Sequence, residues 1–225
     1  MTYEIQGGAF PVVKCELRND EAMITEKGAM VWMTSNIKME TKTGIIAKAF
    51  SRVVSGEKMF QNIYTAQGNG MITFGSNFPG EILPLTIDEN HEYIVQKRAF
   101  LASEKGVKLS VFLNKKLGTG FFGGEGFIMQ KLSGYGTAFV EVDGGLVEHV
   151  LKEEEQLIVD TGHVAGFTTT VQMDIHKVPG VKNVLFGGEG IFNTVLTGPG
   201  RVWLQTMPIS NLAAMLKVFA PKGNS

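Results

Sequence analysis

A glycine-rich segment occurs twice in this chain, and that repetition constrains its fold more than any other feature. From Gly123 the chain reads Gly-Gly-Glu-Gly-Phe-Ile-Met-Gln-Lys-Leu-Ser-Gly-Tyr-Gly, ending at Gly136. From Gly187 it reads Gly-Gly-Glu-Gly-Ile-Phe-Asn-Thr-Val-Leu-Thr-Gly-Pro-Gly, ending at Gly200, an offset of 64 residues (187 − 123) without a gap. A weaker version, Ser55-Gly56-Glu57-Lys58-Met59-Phe60, reaches Gly68-Asn69-Gly70 after two extra residues. A second element recurs in the same order: Met23-Ile24-Thr25-Glu26-Lys27-Gly28-Ala29-Met30-Val31 matches the segments Tyr93 to Leu101 and Leu157 to Ala165. Self-similarity at a fixed period marks an array of equivalent structural units.

Inside each unit the pattern is that of strands. Thr137-Ala138-Phe139-Val140-Glu141-Val142 and Arg201-Val202-Trp203-Leu204-Gln205-Thr206 are rich in β-branched and aromatic residues in a roughly period-two register. The Gly-x-Gly triplets before them read as hairpin turns, because glycine alone takes positive φ without strain. One helix is expected, over 209–220. Ser210 or Asn211 is available as its cap, and Ile209, Leu212, Ala213, Leu216 and Phe219 form a core-facing stripe. The reading is an all-β single domain spanning 1–225, with three repeats at about 1–76, 77–143 and 144–208 and a short C-terminal helix. A chain of this length can bury a real core.

Charge excludes one class of function. Twenty-one basic and 22 acidic residues leave a net charge of −1 with no basic stripe, whereas a polyanion binder needs a concentrated Lys/Arg face. Nucleic acid is therefore not an expected partner. The run Lys152-Glu153-Glu154-Glu155 reads as a solvated turn. Cys15 is the single cysteine, so no intrachain disulfide forms; it sits in an alternating segment as a buried structural thiol, and a reducing compartment fits. The N-terminus lacks the pattern of a signal peptide, and no apolar run approaches a membrane span. The expected setting is the cytoplasm.

Several motifs resemble catalytic signatures. Gly118-Thr119-Gly120-Phe121-Phe122-Gly123 fits the dinucleotide fingerprint, but that fingerprint works only where a helix begins at the glycines, and Gly124-Glu125-Gly126 is a poor helix start. Asp160-Thr161-Gly162 looks like an aspartic-protease loop. That chemistry needs a second carboxylate from a second such loop, and the sister repeats carry Gln96-Lys97-Arg98 and Thr25-Glu26-Lys27. His91, His149, His163 and His176 are scattered without metal-ligand spacing, so neither a metal nor a cofactor is expected.

The repeats do share a glutamate, at Glu57, Glu125 and Glu189. Around a threefold axis these carboxylates would ring a cation or a polar ligand. The simpler reading has each accept hydrogen bonds from the glycine amides of its own loop.

Pro79-Gly80-Glu81-Ile82, Ala99-Phe100-Leu101-Ala102, the two Gly-Gly-Glu-Gly segments, Asp160-Thr161-Gly162-His163 and Thr197-Gly198-Pro199-Gly200-Arg201-Val202-Trp203 together resemble a bacterial family of unknown function. Its distant relatives include a yeast protein named for altered inheritance of mitochondria. The resemblance implies a fold like that of the tryptophan RNA-binding attenuation protein (TRAP-like), with three small antiparallel β-sandwich repeats fused side by side in a pseudo-threefold arrangement. Lys58, where the sister repeats have Gly126 and Gly190, marks the first repeat as the most divergent. Fold does not carry function. The expectation is a non-enzymatic structural or protein-interaction scaffold with an unidentified protein partner; an exposed edge strand would allow a homo-oligomer. The alternative is a small-molecule or ion-binding module using the clefts between repeats, with Glu57, Glu125, Glu189 and Arg201 as its polar contacts.

Overall fold

Strands of six or so residues cannot bury an apolar face alone, so the architecture follows from how they are paired. The computed structural model describes residues 1–26, 28–43, 60–115, 127–177 and 192–219. An N-terminal strand, β1 (Thr2–Gln6), precedes three sets of six. The first set is β2 (Val12–Leu17), β3 (Ala22–Thr25), β4 (Met30–Met33), β5 (Ile37–Thr43), β6 (Phe60–Ala66) and β7 (Gly70–Gly75). The second is β8 (Gly80–Ile87), β9 (Tyr93–Gln96), β10 (Phe100–Glu104), β11 (Val107–Lys115), β12 (Phe127–Gly134) and β13 (Gly136–Asp143). The third is β14 (Leu146–Leu151), β15 (Gln156–Asp160), β16 (Val164–Thr168), β17 (Gln172–Lys177), β18 (Phe192–Thr197) and β19 (Gly200–Gln205), followed by helix α1 (Ile209–Phe219). Among the described residues the protein is all-β with one short α-helix at its C-terminal end.

Every strand pairing among the described residues is antiparallel, and the sheets do not coincide with the repeats. Two six-stranded sheets run β5-β6-β3-β10-β13-β8 and β11-β12-β9-β16-β19-β14. Each joins three strands of one repeat to three of the next, through β3–β10 and β9–β16. A sheet of order β1-β2-β7-β4 and another of order β15-β18-β17 complete the set. A β-bulge recurs at one place in each repeat: between Met30 and Trp32 opposite β7, between Phe100 and Ala102 opposite β13, and between Val164 and Gly166 opposite β19. Such bulges increase local twist and re-aim the strand.

Each repeat is thus a small sandwich that shares its sheets with its neighbours, and three large apolar clusters and a small one of Ala22, Ile24 and Ile63 fill the spaces. The first holds Val13, Cys15, Leu17, Tyr64, Ile72 and Phe74 with Leu101 and Phe139 from the second repeat. The second packs Leu85, Ile87, Val140 and Val142 against Val107, Leu132 and Trp203, and the third packs Phe127, Met129, Val164 and Phe167 with Leu196 and Val202. Strand β2 shows how sequence drives this: Val13, Cys15 and Leu17 are buried, while Lys14 and Glu16 between them are not. Strand β13 lies inside a sheet, and Ala138 to Val142 are buried without alternation. Burial pushes the Cys15 thiol up to about 12, with the Glu104 carboxylate adding to the shift, so the sulfur stays protonated and inert at neutral pH.

Three expectations change. The Gly-x-Gly triplets do turn the chain, with Gly68, Gly134, Gly136 and Gly200 at positive φ. They are not hairpins, however: β6 and β7, β12 and β13, and β18 and β19 lie in different sheets, so each triplet carries the chain from one layer of a sandwich to the other. Consecutive strands pair directly at β5–β6, β11–β12 and β17–β18, and also at β1–β2. The cap of α1 is neither Ser210 nor Asn211; the Asp143 carboxylate accepts the Ile209 N–H at 2.9 Å, placing an anion at the helix N-terminus. Its apolar stripe is not core-facing throughout, because Ile209 and Leu216 are exposed.

A closed threefold arrangement would need three like junctions. Two are formed, and the third, β15 against β4, is not made among the described residues.

Candidate functional site

The glutamates Glu57, Glu125 and Glu189 lie outside the described residues. Arg201 is an exposed residue of β19, with Nη1 2.9 Å from Glu148 Oε1; the same carboxylate accepts the Trp203 Nε1–H at 2.8 Å. An exposed pair of this kind contributes about 0–1 kcal/mol, and it stands on the sheet surface outside the cleft described below. Among the described residues no group of three His, Cys, Asp or Glu side chains is placed to hold a metal ion.

The protease-like triplet has a local use. Asp160 caps a short 3-10 turn by accepting the Gly162 N–H at 3.2 Å, and Thr161 Oγ1 donates to the Phe192 carbonyl at 2.8 Å while accepting from Thr194. His163 Nδ1 lies 2.7 Å from the Gln205 carbonyl oxygen, which can only accept, so Nδ1 carries the proton. Its Nε2 faces Asn211 Nδ2 at 3.3 Å, tying α1 to the third repeat.

Two features are candidates for function. The first is a cleft of about 180 Å³ between the second and third repeats, lined by Phe78, Gln96, Arg98, Glu141, Gln205 and Ile209 among others. Glu141 is nearly buried and accepts from the Asn77 N–H at 2.9 Å and from Ser76 Oγ at 3.1 Å. Gln205 bridges the repeats, with Oε1 accepting the Asp143 N–H and Nε2 donating to the Gly162 carbonyl. Gln96 is also buried, and its Nε2 has no partner among the described residues. A buried amide without an acceptor costs about 1–3 kcal/mol, so a ligand oxygen there would be favoured.

The second is the pair of sheet ends. Neither β4 nor β15 has a second strand neighbour among the described residues. Leu101 and Ala165, at the bulge, are 1 % exposed, whereas Val31 at the same position of β4 is 53 % exposed. Ile24 and Ile94 are buried where β3 and β9 meet the next repeat, but Ile158 of β15 is 67 % exposed. Trp32, also on β4, is 46 % exposed. Burying one such side chain contributes about 1.5–3 kcal/mol, so these ends store binding energy that the internal junctions have already used. An exposed apolar edge strand also templates pairing with another chain.

Sequence reading missed Gln96, Trp32 and Ile158. The signal for Ile158 was present: it occupies in the third repeat the position that Ile24 and Ile94 hold in the first two.

Comparison with known proteins places this geometry among relatives. A family model described as mitochondrial biogenesis AIM24 matches residues 3–207. An uncharacterized protein of Streptococcus pyogenes serotype M6 is 28 % identical over 226 aligned positions, covering 96 % of this chain and 89 % of the relative. The crystal structure of another Streptococcus pyogenes protein, SPYM3_0169, superposes with a TM-score of 0.79 at 26 % identity, covering 97 % of this chain and 99 % of that one.

Proposed function

The chain belongs to the AIM24 family over nearly its whole length, and from that premise we propose that it is a non-enzymatic protein-interaction scaffold. The observation that carries the reading is the contrast between strand positions buried at both internal junctions and the same positions exposed on β4 and β15. A backbone edge flanked by apolar side chains recognises an added strand through main-chain hydrogen bonds. The use of Asp160 as the cap of its own turn also supports a role without catalysis. Side-by-side sandwiches support the likeness to the tryptophan RNA-binding attenuation protein, as a proposal about fold alone. The buried, protonated Cys15 suits a reducing compartment such as the cytoplasm. The test compares affinity capture by the full chain with capture by a Trp32→Lys/Ile158→Lys variant of equal stability. Proteins retained by the first and lost by the second are the expected result; an identical retained set would end the reading.

A second reading rests on Gln96, which lines the cleft between the second and third repeats and whose buried Nε2 has no partner among the described residues: a small polar ligand accepting that N–H after a side-chain shift. A thermal-shift screen against small carboxylates and amides should find a compound that stabilises the wild type and not Gln96→Leu. If every compound acts equally on both proteins, the cleft is not its site.

A further inference from the structure

Strands β4 and β15 are the two halves of one junction that this chain makes twice and, among the described residues, leaves open once. In each six-stranded sheet, three strands of one repeat meet three of the next. The sheet β15-β18-β17 holds the first kind of half, and β2-β7-β4, within the first sheet, holds the second. Joined through β15 and β4, they would give the order β17-β18-β15-β4-β7-β2, equivalent strand for strand to β5-β6-β3-β10-β13-β8.

We propose that β15 of one molecule pairs with β4 of a second molecule of the same chain, head to tail. This rests on the scaffold reading and names its occupant. The internal junctions predict the register. Gly166, Phe167 and Thr168 face Val95, Ile94 and Tyr93, and Ser103 and Glu104 face Ile24 and Met23. Aligned on the shared bulge, Trp32 falls opposite Val159, Met33 opposite Ile158, and Thr34 opposite Leu157.

Side-chain chemistry fits that register. Ile94 reaches across its junction into the core of the third repeat, among Val164, Phe167 and Val202. Ile158 would do the same against the matching Met30, Met33 and Ile72. Both methionines are only half-buried and pack at the margin of the first core. Methionine adapts its shape to an incoming side chain. The strand Met30-Val31-Trp32-Met33 carries no charge or proline, the usual devices that keep a sheet edge unpaired. An interface of this kind is heterologous, so it continues until a ring closes or a filament grows.

Sedimentation equilibrium of the purified full chain tests this. The wild type should exceed the mass of one chain and grow with concentration, while Trp32→Lys and Ile158→Lys should each sediment as single chains. An equimolar mixture of these two variants should double in mass, because one intact β15 still meets one intact β4. Should a lysine variant fail to fold, a Thr34→Cys/Leu157→Cys chain under mild oxidation gives the answer. Covalent dimers and higher species support the pairing, and a disulfide within single chains would mean that the chain closes on itself. That result, a single-chain wild type at every concentration, or a mixture that stays single-chain would overturn the proposal. Edge-dependent capture of other proteins by a chain that never self-associates would leave the scaffold reading standing and remove only this occupant.

Discussion

Phe139→Ala should cost about 3–5 kcal/mol and lower the melting temperature by roughly 10 °C, the largest loss expected from one core position. Phe139 lies on β13 of the second repeat, is fully buried, and packs in the core of the first. Tyr3 stands edge-on to it with ring centroids 4.9 Å apart, a geometry worth up to about 1.5 kcal/mol beyond area burial. The truncation opens a cavity that strands on both sides of a shared sheet cannot jointly close. Location gives the sharper test. In an array whose units contact only their neighbours, damage should stay near its source. Hydrogen exchange should quicken most in β2 and β7 and least in β17 and β18. Uniform loss of protection would show that the three sandwiches act as one cooperative unit.

Gly80→Ala is the second large effect. A Cβ at Gly80 would sit 1.9 Å from the Val142 carbonyl oxygen and 3.0 Å from the Gly144 nitrogen. Both are backbone atoms, so no rotamer change relieves the contact. The chain enters β8 here opposite Asp143, with the Gly80 N–H bonded to the Ala9 carbonyl at 2.9 Å. Moving β8 away would break the β8–β13 ladder within the second repeat and the bond from Gly80 to Ala9 of the first. Overpacking of this kind costs about 1–3 kcal/mol, and unyielding backbone puts the expected value at the upper end. Gly28→Ala is the matched control, since a Cβ there meets nothing within 4 Å. Equal urea midpoints for the two variants would contradict the argument.

How far the fold could be read in advance varies by element. The alternation of Val12 to Leu17 named its buried face correctly, because side chains on a strand point to opposite faces in turn. The glycine triplets were correctly placed as corners and wrongly placed as hairpins. A hairpin and a crossing between layers both need positive φ, so glycine reports the corner and not the partner of the strand beyond it. The α1 cap failed for a similar reason: Asp143 is 66 residues away and reaches Ile209 only in the folded chain. Of the candidate site, Arg201 proved to be a surface partner of Glu148, and Glu57, Glu125 and Glu189 fall outside the described residues.

By itself, the sequence determined the all-β class, the apolar faces of its strands and the corners where glycine stands. Those properties are local, set by side-chain periodicity and by the φ each residue tolerates. Only the tertiary structure decided that, among the described residues, sheets would be shared between repeats, joined at two places, and left open at β4 and β15. The physical reason is that backbone amides and carbonyls are alike in every strand. Periodicity says which face of a strand is apolar, but which edge finds a partner depends on where folding leaves the next strand.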